Sequence, residues 1–209
     1  MSATVRLWGR LNSINVQKVA WTLRELSVPH ERIDAGGRFG IVDTPAYLAK
    51  NPMGKIPLLE DGETVLWESN AIVRYLCARH AHGTLYPAPF ADRADADRWM
   101  DWQATELTPA MGPAFLHLVR TPDGERQPAL IAQAAQKTER LMALLDAQLA
   151  GRAFVCGAQI TMADLVLGCA AHRWFGLPLA RAPRPHAERW YRQLLLRPAA
   201  AGVLTLPLT

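Results

Sequence analysis

A carboxylate and a hydroxyl stand side by side at Glu68 and Ser69, where a predicted strand gives way to a predicted helix. Ser is a favourable residue at a helix N-terminus, and the free N–H groups of the first helical turn suit an anionic group. The Glu68 carboxylate beside them suits an ammonium group. Together the two residues could hold the charged end of an α-amino acid, although the pair alone favours a plain helix cap with a solvated Glu.

The loop Arg10-Leu11-Asn12-Ser13-Ile14-Asn15 offers hydroxyl and amide donors between the first predicted strand and the first predicted helix. In α/β domains, ligands gather beyond the carboxyl ends of strands, close to helix N-termini. A Ser or Asn donor there can bond a thiolate and lower the pKa of the thiol. Alternatively, Ser13 or Asn15 only caps the helix, which is what the loop alone favours.

A third segment, Asn51-Pro52-Met53-Gly54-Lys55-Ile56-Pro57, leads into a predicted strand. If the Ile56-Pro57 bond is cis, the backbone N–H and C=O of Ile56 face solvent and can pair with an extended peptide. A trans proline that opens the strand is the commoner arrangement, so the segment alone favours trans.

Short elements must position these three segments. The hydrophobic pattern predicts a strand at 5–8, a helix at 15–28, a strand at 30–34, a hairpin of strands at 56–60 and 65–67, and a helix from Ser69. A polar loop containing three glycines lies at 36–40. The order β-α-β, loop, β-β-α predicts a small α/β sheet.

After a Pro-rich segment at 85–90 the pattern becomes helical, and helices are predicted at 92–120, 128–149, 162–175 and 185–196. Thr161 and Asp164 have the spacing of a capping box, with Asp in place of the usual Glu. We therefore predict an α/β plus all-α fold, with an N-terminal domain at 1–83, a linker at 84–91 and an all-helical domain at 92–209.

Composition argues against several classes of function. The 209 residues carry a net charge of +4 without a basic block, which argues against nucleic-acid binding. Apolar stretches are shorter than the roughly 20 residues of a membrane span, and no signal-peptide core opens the sequence. The three cysteines form no CxxC and the six His residues have no metal-ligand spacing, so neither a disulfide framework nor a metal is expected. We expect a cytoplasmic protein.

The three segments together resemble those of the cytosolic glutathione transferases, and the resemblance covers essentially the whole chain. It is carried by N-P-x-G-x-[IV]-P at 51–57, W-E-S-N-A-I at 67–72 and the capping box at 161–164. The resemblance implies a thioredoxin-like N-terminal domain followed by a helical bundle. It also implies that glutathione is a co-substrate, that no further cofactor is needed and that Asp164 is a structural cap.

The same resemblance implies roles for individual residues. Pro57 is expected to be cis and to present the Ile56 backbone to the cysteinyl part of glutathione, while Glu68 and Ser69 hold the γ-glutamyl end. Lys55 is a candidate for the glycyl carboxylate. Further glutathione contacts are expected at Asn12, Arg38 and Phe39.

The subtype depends on the loop after the first strand. Tyrosine-type members of the family have a catalytic Tyr near the end of that strand and cysteine-type members have a Cys in the next loop, whereas this chain has neither. The loop resembles that of serine-type and related bacterial members. Ser13 is therefore the first candidate for the group that contacts the glutathione sulfur, and Asn15 is the second.

The predicted activity is conjugation of the glutathione thiolate to small hydrophobic electrophiles, as in detoxification, by a homodimer. Arg10, Trp102 and Met111 are expected to line the electrophile pocket. Two alternatives stay open. One is a glutathione-dependent disulfide reductase that uses two glutathione molecules, and the other is a non-enzymatic module that uses the fold only for binding.

Overall fold

The N-terminal part of the chain forms a four-stranded mixed sheet with helices packed on it. The computed structural model describes residues 4–209. The elements in this part are β1 (Val5–Trp8), α1 (Ile14–Glu25), β2 (His30–Ile33), α2 (Pro45–Leu48), β3 (Leu58–Asp61), β4 (Thr64–Trp67) and α3 (Ser69–His80). The strand order is β2-β1-β3-β4, with β1 parallel to β2 and with β3 antiparallel to both β1 and β4. This is the thioredoxin-like domain that the sequence predicted.

Several bounds differ from the predicted elements, among them the end of α1 at Glu25 and not at residue 28, and two of the differences have a clear physical cause. Strand β3 begins at Leu58 and not at residue 56, because Pro57 has no N–H to donate to the ladder. The short helix α2 was not predicted, since a single turn of four residues carries no hydrophobic period. Thr44 caps it by accepting a hydrogen bond from the Tyr47 N–H at 3.3 Å.

The C-terminal part is all-helical. Its helices are α4 (Phe90–Trp102), α5 (Thr108–Phe115), α6 (Pro128–Gln148), α7 (Met162–Gly176) and α8 (Pro185–Leu195). Wider, π-helical turns at Gln103–Leu107 and Leu116–Arg120 follow α4 and α5, so the predicted helix at 92–120 is one continuous but uneven rod. Pro109 contributes to this unevenness, because its ring crowds the carbonyl four residues earlier, which belongs to Thr105 in the first wide turn.

Helix α1 belongs to the packing of both domains. It lies against α3 on one side and against α7 of the helical domain on the other. Val19, Trp21 and Leu23 are fully buried and form one core with residues of α7. The N-terminus of α1, with the loop that precedes it, is therefore held by both domains.

The start of α7 confirms the predicted capping box. The Asp164 carboxylate is fully buried and accepts hydrogen bonds from the backbone N–H groups of Val155 and Thr161 and from the Trp190 indole at 2.8–2.9 Å. None of the helices described is long and apolar enough to cross a membrane.

Candidate active site

Four depressions at the edge of the sheet join into one groove. They have volumes of about 660, 220, 50 and 380 Å³, and we call them in that order the arginine pocket, the bridging depression, the proline cavity and the helix-terminus cavity. Arg10 lines the first and the second, and Lys55 and Ile56 line the second and the third. Asn15, Glu68 and Ser69 line the third and the fourth. Shared walls make the four depressions continuous.

The loop before β3 leaves the Ile56 backbone outside the sheet. The Ile56-Pro57 bond is cis, and the pairing of β3 with β1 starts only at Leu58. The carbonyl of Lys55 accepts hydrogen bonds from the Tyr47 hydroxyl and the Asn51 side-chain amide, each at 2.7 Å. The loop is therefore held from below, and Ile56 and Pro57 line the proline cavity.

Gly9 allows this loop to approach β1 closely. It has a φ of +144°, and a Cβ at this position would lie 3.2 Å from the Ile56 Cβ and 2.5 Å from a Val16 methyl carbon. A larger residue would push the loop and the start of α1 apart. The end of β1 is thus shaped so that the Ile56 loop and the α1 N-terminus share one wall.

Glu68 occupies the cap position of α3, which corrects the prediction that Ser69 is the cap. Ser69 is already the first helical residue, because the first helical hydrogen bond runs from the Ile72 N–H to the Glu68 carbonyl. Glu68 has a φ of +70°, a conformation that costs a non-Gly residue about 1–3 kcal/mol. Glu68 is exposed and Ser69 is only 5% exposed, and both line the helix-terminus cavity.

Charges of both signs surround the helix-terminus cavity. Arg74 donates to the Asp101 carboxylate at 2.6 Å and to the Asp97 carboxylate at 2.5 Å. Glu68 and Lys18 complete the charged lining. Two cations and two carboxylates therefore line a cavity that ends at the first turn of α3.

Lys18 is the buried cation of this site. Its side chain is 2% exposed, and its ammonium group donates to the Asn70 side-chain oxygen at 3.2 Å, while the Asn70 amide donates to the Met100 carbonyl at 2.7 Å. Burial lowers the pKa of Lys18 to about 8, with Glu68 acting in the opposite direction. Lys18 was not among the residues predicted for the site, although a lysine on the apolar face of α1 already indicated a buried charge.

Ser13 and Asn15 flank the N-terminus of α1. Ser13 occupies the cap position, but its hydroxyl makes no capping hydrogen bond. Both side chains are half-buried, and Asn15 lines the proline cavity and the helix-terminus cavity. A donor at Asn15 therefore faces the groove near the N–H groups of the first helical turn, whereas Ser13, at the cap position, lines none of the four depressions.

The arginine pocket contains several of the remaining predicted residues. Its lining includes Arg10, Asn12, Arg38, Phe39, Arg120 and Thr209. The Arg10 guanidinium donates to the Asn12 side chain at 2.7 Å, and Asn12 donates to the Thr209 hydroxyl at 2.6 Å. Arg38 lies 4.8 Å from the centre of the Phe39 ring. The structure thus places Arg38 and Phe39 beside Arg10, whereas Lys55 lies nearer to the middle of the groove.

Two of the three residues predicted for the electrophile pocket lie elsewhere. Met111 is fully buried in the core of the helical domain, so it cannot line an open pocket. Trp102 packs edge to face against Trp99 at 5.1 Å and against the core. Of the predicted trio only Arg10 lines the arginine pocket, and Arg120, which sequence reasoning missed, lines it instead.

The cysteines offer no reactive thiol to the groove. Cys77 and Cys169 are buried and Cys156 is half-buried, and burial raises the pKa of each thiol to about 12. Within residues 4–209, no three His, Cys, Asp or Glu side chains are close enough together to hold a metal ion. The groove itself is lined by hydroxyl, amide, carboxylate, ammonium and guanidinium groups.

Comparisons with known proteins agree with this geometry. Models described as "Glutathione S-transferase, N-terminal domain" and "Glutathione S-transferase, C-terminal domain" match residues 7–84 and 128–193. The glutathione S-transferase GstB of Escherichia coli K12 is 43% identical over 207 residues, which cover 98% of this chain and all of that protein. Glutathione S-transferase 3 of Zea mays is 32% identical over 209 residues, covering 94% and 91% of the two chains.

A solved structure is similar over its full length. It is the theta class glutathione S-transferase of Xanthomonas axonopodis pv. citri with glutathione bound, at 44% identity and a TM-score of 0.95, with all of both chains covered. The sequence matches and the shared fold lead to one conclusion. The chain belongs to the glutathione S-transferase family.

Proposed function

We propose that this protein transfers small electrophilic groups to the sulfur of glutathione. The observation that carries the proposal is the continuity of the groove at Asn15, which lines both the proline cavity and the helix-terminus cavity. A tripeptide with a zwitterionic end fits this order of subsites, and the similar Xanthomonas protein was solved with glutathione bound.

The γ-glutamyl end fits the helix-terminus cavity. Its ammonium group would contact the carboxylates of Glu68 and Asp101, and its carboxylate would accept hydrogen bonds from the Ser69 hydroxyl and the free N–H groups of α3. Lys18 adds a positive charge on the carboxylate side. Because the cavity already holds both signs of charge, it matches an α-amino acid end better than a simple anion.

The cysteinyl and glycyl parts would follow the groove. The Ile56 backbone, which β1 leaves unpaired, would pair with the cysteinyl backbone in the manner of an added strand. Lys55, Asn12, Arg38 and Phe39 are the candidates for contacts with the glycyl end. This places the cysteinyl sulfur near the N-terminus of α1.

Thiolate stabilisation would then be the main chemical task. A free thiol has a pKa near ~8.5, so only a few per cent of it is ionised at pH 7. Donation from Ser13 or Asn15, with the α1 N-terminus, would lower that pKa by about two units, which is about 2.7 kcal/mol. The thiol proton leaves to solvent, the sulfur lone pair forms the bond to carbon, and the leaving group departs with the bonding electrons.

Ser13 is the preferred activator because its hydroxyl does not cap the helix. The test is an ultraviolet titration of the bound thiol between pH 5 and 9 in the wild type, Ser13→Ala and Asn15→Ala. We expect Ser13→Ala to raise the pKa of bound glutathione while the dissociation constant changes little. The opposite pattern would assign the role to Asn15, and an unshifted thiol in the wild type would contradict the transferase proposal.

Disulfide reduction remains the second candidate, since the arginine pocket, with about 660 Å³, could admit another glutathione. Turnover of 2-hydroxyethyl disulfide in the same preparation tests it. A non-enzymatic role would show glutathione binding without either turnover. Dimer formation stays a prediction, which light scattering can test. The cytoplasmic location and the role in detoxification also stay predictions.

A further inference from the structure

Guanidinium groups dominate the charge of the arginine pocket. Arg10, Arg38 and Arg120 line it, while its one acid, Asp34, is already paired with Arg32. Across residues 4–209, no Asp or Glu side chain forms an ion pair with any of these three arginines. The pocket therefore carries positive charge that its own side chains do not balance.

A fourth arginine, Arg173, adds positive charge next to the pocket without lining it. Arg173 on α7 and Arg120 lie 4.0 and 4.8 Å from the centre of the same ring, that of Phe115. Burial and the nearby Arg120 and Arg10 lower the pKa of Arg173 to about 10, and burial and Arg120 also lower the pKa of Arg10. Arg10, Arg120 and Arg173 are thus close enough to repel one another.

Local contacts hold the cluster in place. The stem of Arg10 lies over Gly37, which has a φ of +59°, and a Cβ there would come within 3.0 Å of the Arg10 Nε. Arg120 donates to the main-chain oxygen of Thr209 at 3.2 Å. That single oxygen can offset at most one of the guanidinium charges. A guanidinium group suits a planar anion that accepts two parallel hydrogen bonds.

The position of the cluster relates it to the reacting sulfur. Arg10 lies three residues before Ser13 and also lines the bridging depression with Ile56. If glutathione binds as proposed, its sulfur faces this end of the groove and its glycyl carboxylate pairs with Arg38, which leaves Arg10 and Arg120 for a second anion. An anion held by Arg10 would then lie beside the atom that the thiolate attacks.

We infer that the arginine pocket selects small acceptors that carry a carboxylate, which Arg10 and Arg120 bind as an ion pair. A 2-haloacid is the simplest such acceptor. The thiolate lone pair forms the S–C bond, the carbon–halogen bond breaks, and halide leaves with the bonding electrons while the carboxylate stays on the arginines. Turnover rests on the proposed transferase function, but the anion site can be measured by binding alone.

The binding test uses two conjugates of nearly equal shape, S-(carboxymethyl)glutathione and S-(carbamoylmethyl)glutathione, in calorimetric titrations. We expect the wild type to bind the acid about 10- to 100-fold more tightly than the amide. Arg120→Gln should lose most of this preference. Arg140→Gln, which removes the same charge from an exposed position on α6, should keep it. Equal affinity of the wild type for both conjugates would overturn the inference.

Two further variants test whether the effect of Arg120→Gln comes from misfolding or from damage to the glutathione site. Arg120→Lys keeps the charge and should retain part of the preference, and Arg10→Gln removes a second charge that does not contact Thr209. Affinity for glutathione itself, measured in every variant, should change less than the preference does. A preference that survives Arg120→Gln and Arg10→Gln would contradict the assignment.

The turnover test compares iodoacetate with iodoacetamide, each corrected for the uncatalysed reaction with glutathione. We expect a higher kcat/KM for iodoacetate and a fall in the ratio in Arg120→Gln. Turnover of iodoacetamide without any preference for acids in binding or turnover would support the transferase proposal and overturn the anion site. Preferential binding of the acid conjugate without turnover of either reagent would support the anion site and contradict the transferase proposal.

Discussion

The two ends of the groove differ in how their charges are arranged. At the helix-terminus cavity, Arg74 is paired with Asp101, and Glu68 and Lys18 face the same space. At the arginine pocket, Arg10 and Arg120 have no carboxylate side chain as a partner among the described residues. The side chains of one end balance one another in charge, and those of the other end do not.

This difference indicates what each end can recognise. A balanced cavity favours a ligand that brings both a cation and an anion, since an ion of one sign would leave the opposite charges unmatched. An unbalanced pocket favours an anion, because binding relieves the repulsion between its own cations. The balanced end therefore suits the γ-glutamyl end of the co-substrate, and Arg10 and Arg120 of the unbalanced end suit a selected acceptor.

The largest expected effect concerns the buried charge of the balanced end. Lys18 has a pKa of about 8 in the folded chain, against 10.5 ordinarily, so its protonated form favours the unfolded state. Lys18→Met should therefore stabilise the protein at pH 7, by up to about 3 kcal/mol. Below pH 8 the benefit is full, and it disappears as the pH rises from about 8 to 10.5.

Chemical denaturation at pH 7, 9 and 10.5 measures this dependence. Lys137→Met is the matched control, because Lys137 is exposed on α6 and should show no such trend. Calorimetric titration of the same variant with glutathione should show weaker binding, because the helix-terminus cavity loses a cation. A variant that is less stable than the wild type at pH 7 would show that the Lys18 charge is well compensated in the fold.

Glu68→Gln should lower the affinity for glutathione by about 10- to 50-fold, because the ammonium group loses its carboxylate partner. Calorimetry with glutathione measures this loss. The ratio between the acid and amide conjugates should stay close to the wild-type value, since Glu68 lies at the other end of the groove. A loss of both would mean that the two ends are energetically coupled.

Salt should distinguish the two ends. Raising NaCl from about 0.05 to about 0.5 M should reduce the preference for the acid conjugate several-fold, because the pocket is open and its charges are screened. Affinity for the amide conjugate should fall less, since the charges of the balanced end compensate one another. A preference independent of salt would argue for recognition by shape.

The smallest effect concerns the backbone at Glu68. Its φ of +70° suits glycine, so Glu68→Gly should stabilise the fold by up to about 1 kcal/mol while it weakens glutathione binding. Thermal unfolding checks the stability, with Glu63→Gly at an exposed loop position as the control. Loss of stability in Glu68→Gly would show that the carboxylate itself supports the fold.

The sequence predicted more residues of the balanced end than of the unbalanced end. Glu68, Ser69, Ile56 and Pro57 lie in two short motifs, and the resemblance that these motifs carry implied the cis bond at Pro57, which the local pattern alone did not favour. Arg120 lies in the same pocket as Arg10 although the two are 110 residues apart in sequence. Only tertiary packing brings them together, and no local pattern predicts it.

The wrong placement of Met111 has a specific physical cause. The wide turn at Gln103–Leu107 has more residues per turn than an α-helix, so it rotates the faces that later residues present. Position on the long helix alone therefore did not show that Met111 turns into the core. Lys18 was missed for a different reason, because a buried lysine departs from the apolar pattern that identifies the helix.

Helix α1 packs against both domains and begins directly after Ser13, and this has a consequence for heat inactivation. Neither domain can separate from the other without disturbing the loop that faces the sulfur. We therefore expect melting to be cooperative, with catalytic activity and tertiary structure lost at the same temperature. No thermal intermediate should be populated in which both domains remain folded while the active site is already inactive.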